Sequence, residues 1–209
     1  MDLLTTVKKY IKYIIVGAIA LVAIALVFVL RNQYVNEKAE NFTKELSNAS
    51  TKLGLANEEE SIKILNSLDD KAYTFGNKLI LTLRKVEQYN KQKKYNKSLE
   101  EIKKLRKERI NVEYKNYLDY LSNSILLEQS SNNKKKMAEL ADNIIKNNNN
   151  KENTFRYLNL ELVIISYIQL SKYEDALKYA NEVLTASDIS DILKLRISNL
   201  KSVALSYVK

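Results

Sequence analysis

Asp69 beside Asp70, and Glu100 beside Glu101, are the pairs in this chain that could divide acid and base work between two carboxylates. Adjacent residues of a helix point about 100° apart, however, so neither pair converges easily on one reacting atom. Glu58, Glu59 and Glu60 form a third acidic group, and the preceding Asn57 gives it a plainer role: a capping side chain followed by acids at the positive end of a helix. The 209 residues include no histidine and no cysteine, which removes the common zinc sites, the thiolate nucleophile and the Ser-His-Asp arrangement. Three glycines leave no phosphate-cradling loop. The expectation is a protein that is not an enzyme and holds no metal or cofactor.

Binding is the remaining chemistry. Residues 91–109 carry nine Lys or Arg against Glu100, Glu101 and Glu108, a local balance of +6. Tyr95, Leu99, Ile102 and Leu105 form an apolar stripe there. The charges fall on the opposite face, with Lys97–Glu101 and Lys104–Glu108 at four-residue spacing. That pattern reads first as a solvated helix face, with Lys103 and Lys107 as candidate contacts for anionic lipid head groups or an acidic segment of another protein. Farther along, Tyr114 and Tyr117 join Leu118, Leu121 and Ile125 on one helical stripe, while Tyr120 and Leu127 fall on a different face. Tyr120 and Leu127 are candidates to line a protein-binding groove; packing of Tyr120 against a neighbouring helix pair is the alternative.

The elements that would carry these residues are helices. With no proline and three glycines the chain lacks the turn residues a sheet needs, and Asn, Ser and Asp mark the joints instead. A long first helix runs through Leu53, with Tyr34, Phe42, Leu46, Ala49 and Leu53 on one face, and Gly54 supplies a stop. A short helix from Asn57 to about Leu68 and a longer one from about Lys71 to Tyr89 follow. Residues 76–105, 112–145 and 155–186 then each read as a long helix, a polar joint and a shorter amphipathic helix. Tyr89 precedes Tyr95 by six residues and Ser98 by nine, the spacings that also separate Tyr167 from Tyr173 and Ala176. The midpoint between Ser98 and Ala176 falls at Met137, beside Ala138, so the period is near 39. These offsets resemble a degenerate tetratricopeptide repeat, in which the tyrosines and the small residue at the helix crossing have packing roles. After a break at Ser187 and Asp188, Ile189, Leu193, Ile197, Leu200 and Ala204 line a last helix whose other face should be polar, as a solenoid cap requires.

Residues 13–30 (YIIVGAIALVAIALVFVL) hold no charge and are flanked by Lys8, Lys9 and Lys12 before and Arg31 after. As a helix the run spans roughly 27 Å, close to the hydrocarbon thickness of a bilayer. Small-x-small sites at Ala18 to Ala20 and Ala23 to Ala25 would suit signal cleavage, but both lie inside the run and five large apolar residues follow the second, so an uncleaved anchor is expected. The tighter basic cluster before the run favours a cytoplasmic N-terminus, with the following domain outside the cytoplasm and away from nucleic acid. The expected layout is all-α: a tail at 1–12, a transmembrane helix at 13–30 and a helical-repeat domain at 31–209. Part of the formal charge of +9 reflects general lysine-rich usage.

This layout, together with the segment 194–200 (KLRISNL), resembles the YfgM-like ancillary subunits of the Sec translocon. The resemblance implies a single-pass protein of the bacterial inner membrane with a tetratricopeptide-like domain in the periplasm. That domain would bind other proteins near the translocon and extracytoplasmic chaperones, and no catalytic residues are carried over. The many lysines and asparagines and the NNNN joint at 147–150 depart from the family pattern, which bears on the identity of any client. The other reading of the residues is a structural envelope component that self-assembles, and a homo-oligomer is compatible with both.

Overall fold

A chain so poor in glycine and proline has few places to leave a helix. The computed structural model describes the backbone of residues 3–53, 57–148, 150 and 152–208, and their side chains from Leu26 onward except Leu53 and Glu58. Within those residues the order is α1 (Leu3–Leu53), α2 (Glu58–Asn66), a 3-10 turn (Asp69–Lys71), α3 (Phe75–Lys91), α4 (Tyr95–Leu105), α5 (Val112–Gln129), α6 (Lys134–Asn147), α7 (Arg156–Gln169), α8 (Tyr173–Leu184) and α9 (Asp191–Leu205). The fold is all-α, with no strand among the described residues. Joint residues start several of these helices. The side chains of Asn57, Asn111, Asn133 and Ser190 accept hydrogen bonds from the backbone N–H groups of Glu60, Tyr114, Lys136 and Leu193, each satisfying a donor the first turn leaves unpaired. Gly54, the expected stop of α1, lies outside the described residues.

Two compact units divide the chain between Leu81 and Thr82, inside α3. In the first, Phe42 and Ala49 on one face of α1 are buried with Leu65 and Leu68, Ala72 and Leu81, and Leu46 and Ile64 pack against them. Residues 31–81 therefore have a core of their own, where the sequence reading ran one repeat domain from residue 31. Among the described residues no helix is long and apolar enough to cross a membrane. Residues 13–25 of the expected anchor lie outside the residues whose side chains are described, and Leu26, Val27, Phe28, Val29 and Leu30 are exposed.

The second unit is built from helix pairs. In the α3–α4 pair Ser98 Oγ donates to Asn90 Oδ1 at 2.6 Å, and α4 packs on α5. Further along, α5 contacts α6 and α7, α6 contacts α7, and α7 contacts both α8 and α9, which also touch each other. The second helices of the three pairs bury matching triplets: Ser98, Ile102 and Leu105; Met137, Ala141 and Ile144; Ala176, Ala180 and Val183. Each triplet follows the previous one by 39 residues. The register position in the middle pair is thus Met137 itself, fully buried, and not the neighbouring Ala138.

The joints explain why the outer two pairs look alike. Lys93 and Ser171 adopt left-handed backbone, with φ of 55° and 60°. Lys94 N–H then reaches back to Tyr89 O, and Lys172 N–H to Tyr167 O, both at 2.8 Å. This is the glycine-favouring helix stop built without glycine. The middle pair has no such residue; Asn133 N–H bonds to Ser130 O and the Asn133 side chain caps α6. Because a Cβ in left-handed backbone costs about 1–2 kcal/mol, Lys93→Gly and Ser171→Gly are each expected to raise stability by about 1 kcal/mol. Denaturant midpoints of the full chain, followed by helical circular dichroism, measure it.

Helix α7 is buried nearly all round, from Asn159 through Ile164 and again at Ser166 and Tyr167, as its apolar run implies. The last helix departs from expectation. Its inner face buries Leu193, Ile197 and Ala204, but Ile192, Leu195, Val203 and Leu205 are exposed on its other sides, so the outer face is mixed and not the polar cap expected.

Candidate binding groove

A cavity of about 330 Å³ opens in the second unit between α5, α6 and the start of α7. Six of its eleven lining residues are asparagines: Asn123 from α5, Asn143, Asn147 and Asn148 at the end of α6, Asn153 from the following joint, and Asn159 from α7. The 39-residue packing of successive pairs puts these distant positions side by side. Across one wall Asn123 Nδ2 donates to Asn159 Oδ1 at 3.0 Å. Buried Asn148 donates through Nδ2 to Arg156 O at 3.2 Å, and its Oδ1 has no hydrogen-bond partner among the described residues. Arg106, just beyond α4, closes the rim by pairing with Asp119 and donating to Ser122 Oγ at 3.3 Å.

Charge in this groove is balanced, since Arg106 and Asp119 neutralise each other and the rest of the polar lining is amide or hydroxyl. A primary amide offers one carbonyl acceptor and an NH₂ donor on a flat plane, the same functions a peptide unit presents. An amide-lined groove without net charge suits main-chain amides better than a phosphate or an isolated charged side chain. Its volume falls at the small end of the range for ligand sites, enough for a short stretch of chain.

The residues singled out from sequence are distributed differently. Leu127 is buried in the core shared by α5 to α9, so the expected Tyr120–Leu127 surface is corrected: Leu127 presents nothing to a partner. Tyr120 is half-buried, its ring stacked on Phe155 with centroids 5.9 Å apart. That is the packing alternative, and it follows from α5 having neighbours on two sides. Tyr114, expected on the core stripe, is exposed. Lys103 and Lys107 are exposed but lie outside the groove, whose basic residue is their neighbour Arg106. The expected Lys97–Glu101 pair gives way to a different arrangement: Glu101 meets Lys104 at 2.5 Å and buried Lys85 at 3.7 Å, and Lys97 Nζ sits 5.8 Å from the Tyr89 ring centroid.

The repeat-position residues all lie in helix packing. Tyr89, Ser98, Tyr167 and Ala176 are buried. Burial, followed by the charge of the Glu128 carboxylate on α5, raises the Tyr95 phenol above its usual range. Burial first, then Tyr179 and nearby Asp142 and Asp175, push the Tyr167 phenol up to about 12. Tyr173 stacks on Tyr207 at 4.7 Å, holding the segment after α9 against the start of α8.

In a joint-rich chain asparagines read as helix caps, which conceals these six from a sequence reading. The available signal was the clustering of Asn143, Asn147 and Asn148 at the end of α6 with Asn153 in the joint that follows. No family model, no curated protein and no solved structure matches this chain.

Proposed function

We propose that this chain is a membrane-anchored scaffold with a short tetratricopeptide-like solenoid, and that it binds a short extended segment of another polypeptide in the asparagine-lined groove of the second unit. The observation that carries this reading is the groove: six amides from three helices and one joint, uncharged overall, with a buried carbonyl oxygen left for a donor. Residues 13–30 supply the anchor, with the N-terminus in the cytoplasm and the domain outside it. The layout resembles the YfgM-like family, which points to clients in the cell envelope near the translocon.

Photocrosslinking in the native membrane tests this. A photoreactive residue at Asn143 or Asn147, both exposed on the groove's edge, is expected to capture other polypeptides. Alanine at the companion position should cut the yield several-fold, since each lost amide hydrogen bond is worth about 1 kcal/mol. Equal capture from a position on the far side of the unit would refute the groove.

The exposed Ile192 and Leu195 on α9 favour a second reading, self-association. Crosslinks from Leu195 to another copy of the chain, with none from the groove, would establish that one in its place.

A further inference from the structure

The first unit holds a second cavity, of about 490 Å³, beside the part of α1 that follows the apolar run. Tyr34 and Tyr73 form its aromatic wall, edge to face at 5.9 Å and nearly perpendicular. Both residues are about half exposed, at 51% and 53%. Lys38 reaches back over the Tyr34 ring, its Nζ 5.5 Å from the centroid. Lys44 and Lys71 also line the cavity, against Glu45 and Asp70, a local balance of +1. Lys71 is tied to Glu45 and Lys44 to Glu40, whereas Lys38 has no carboxylate partner among the described residues.

Height above the apolar run decides what this cavity meets. Tyr34 follows Leu30 by four residues of continuous helix, about 6 Å along the axis, and Glu45 by fifteen, about 22 Å. Headgroup layers extend roughly 5–7 Å beyond the hydrocarbon on each side. With 13–30 in the bilayer, the tyrosine pair therefore lies at headgroup level, where amphipathic rings are favoured. The Lys38 ammonium, folded back toward Tyr34, is brought to the same level, while Glu45 stands well clear of it. An exposed aromatic pair continuous with the exposed Leu26 to Leu30 surface, under a cation, matches a phosphate-bearing lipid with one face for the glycerol region and one charge for the phosphate.

We infer that the Tyr34–Tyr73–Lys38 cavity holds the headgroup of an anionic phospholipid from the membrane in which the chain is anchored. This rests on the anchor reading of residues 13–30. The bound lipid would pin the short α2 and the 3-10 turn to the bilayer surface through Tyr73.

The chain contains no tryptophan, so Tyr34→Trp places a single fluorescent reporter in the cavity. The full-length variant is reconstituted in phosphatidylcholine vesicles containing phosphatidylglycerol, with brominated acyl chains on one lipid or the other. Brominated phosphatidylglycerol is expected to quench the introduced indole at least two-fold more than brominated phosphatidylcholine at equal mole fraction, and Lys38→Gln should abolish the difference. Equal quenching by both lipids overturns the inference and leaves the anchor standing. Loss of the preference on adding millimolar inorganic phosphate would assign the cavity to free phosphate and overturn the lipid. No quenching by either lipid, with release of the protein by alkaline carbonate, would instead remove the anchor reading itself.

Discussion

Glu101→Ala is expected to lower the stability of the second unit by about 3 kcal/mol or more, while Lys85→Val changes it by less than about 1 kcal/mol. The asymmetry comes from burial. Lys85 is 2% exposed, on α3, and its ammonium lies 3.7 Å from Glu101 Oε2 on α4. Glu101 is more accessible and also holds exposed Lys104 at 2.5 Å. Deleting the carboxylate strips the facing charge from a deeply buried cation, whereas deleting the lysine leaves a carboxylate that still has a partner at the surface. The repeat itself indicates what the site tolerates. Two periods on, the position of Lys85 is taken by Val163, fully buried in α7. Lys85→Val in the Glu101→Ala background should therefore recover most of the lost stability. Denaturant titration of the full chain gives the three values. Equal losses for the two single variants would refute this account of the pair.

Local signals in the chain were sufficient for the elements. Asn57 and Ser190 are polar residues before helical patterns, and both cap as such residues do; the end of α1 at Leu53 and the joints after Lys91 and Gln169 fall where periodicity breaks. The 39-residue spacing was legible from Tyr89, Ser98, Tyr167 and Ala176 because buried positions at a helix crossing restrict residue type. The exception in the middle pair, Met137, is buried where the outer pairs place Ser98 and Ala176, and its pair closes through a different joint. A flexible thioether adapts to such a gap, and no local pattern marks it.

What stayed hidden depends on contacts between distant segments. Leu127 and Tyr120 share a face that reads as surplus to one apolar stripe, and only the neighbours of α5 on both sides show that this face is also core. The groove joins Arg106 to Asn159 across three helices, so no window of sequence contains it. Lys85 and Glu161 look like surface charges placed in apolar helices. Their burial follows from partners 16 and 35 residues away, Glu101 and Arg196. A charge in the middle of an otherwise apolar helix is the visible trace of such a pairing, and Glu161 within the run LNLELVIISYI is an instance.

Arg196→Met is expected to cost about 3 kcal/mol and to loosen α9 first. Glu161, on α7, is 4% exposed, and both its oxygens are taken by Arg196: Oε1 accepts from Nε at 2.6 Å and Oε2 from Nη2. One planar guanidinium thus ties α9 to α7 through both carboxylate oxygens. The Glu161 hydrogen bonds hold the arginine above its usual range, against the opposing effect of burial. Removing Arg196 leaves a buried carboxylate without its fork, worth about 3–5 kcal/mol in buried pairs. The lower figure applies here because the Arg196 side chain is 48% exposed and water can reach the vacated place. Arg196→Lys should recover only part, since a point charge on a flexible stem cannot meet both oxygens in one plane. Glu161→Leu combined with Arg196→Met should recover most, because Leu160 and Leu162 already occupy the same buried surroundings. Hydrogen exchange locates the loss: amides of α9 should exchange faster in Arg196→Met than those of α4, whose core lies elsewhere in the unit. Uniform acceleration across the unit, or a double variant less stable than Arg196→Met alone, would show that this pair does not fasten the last helix.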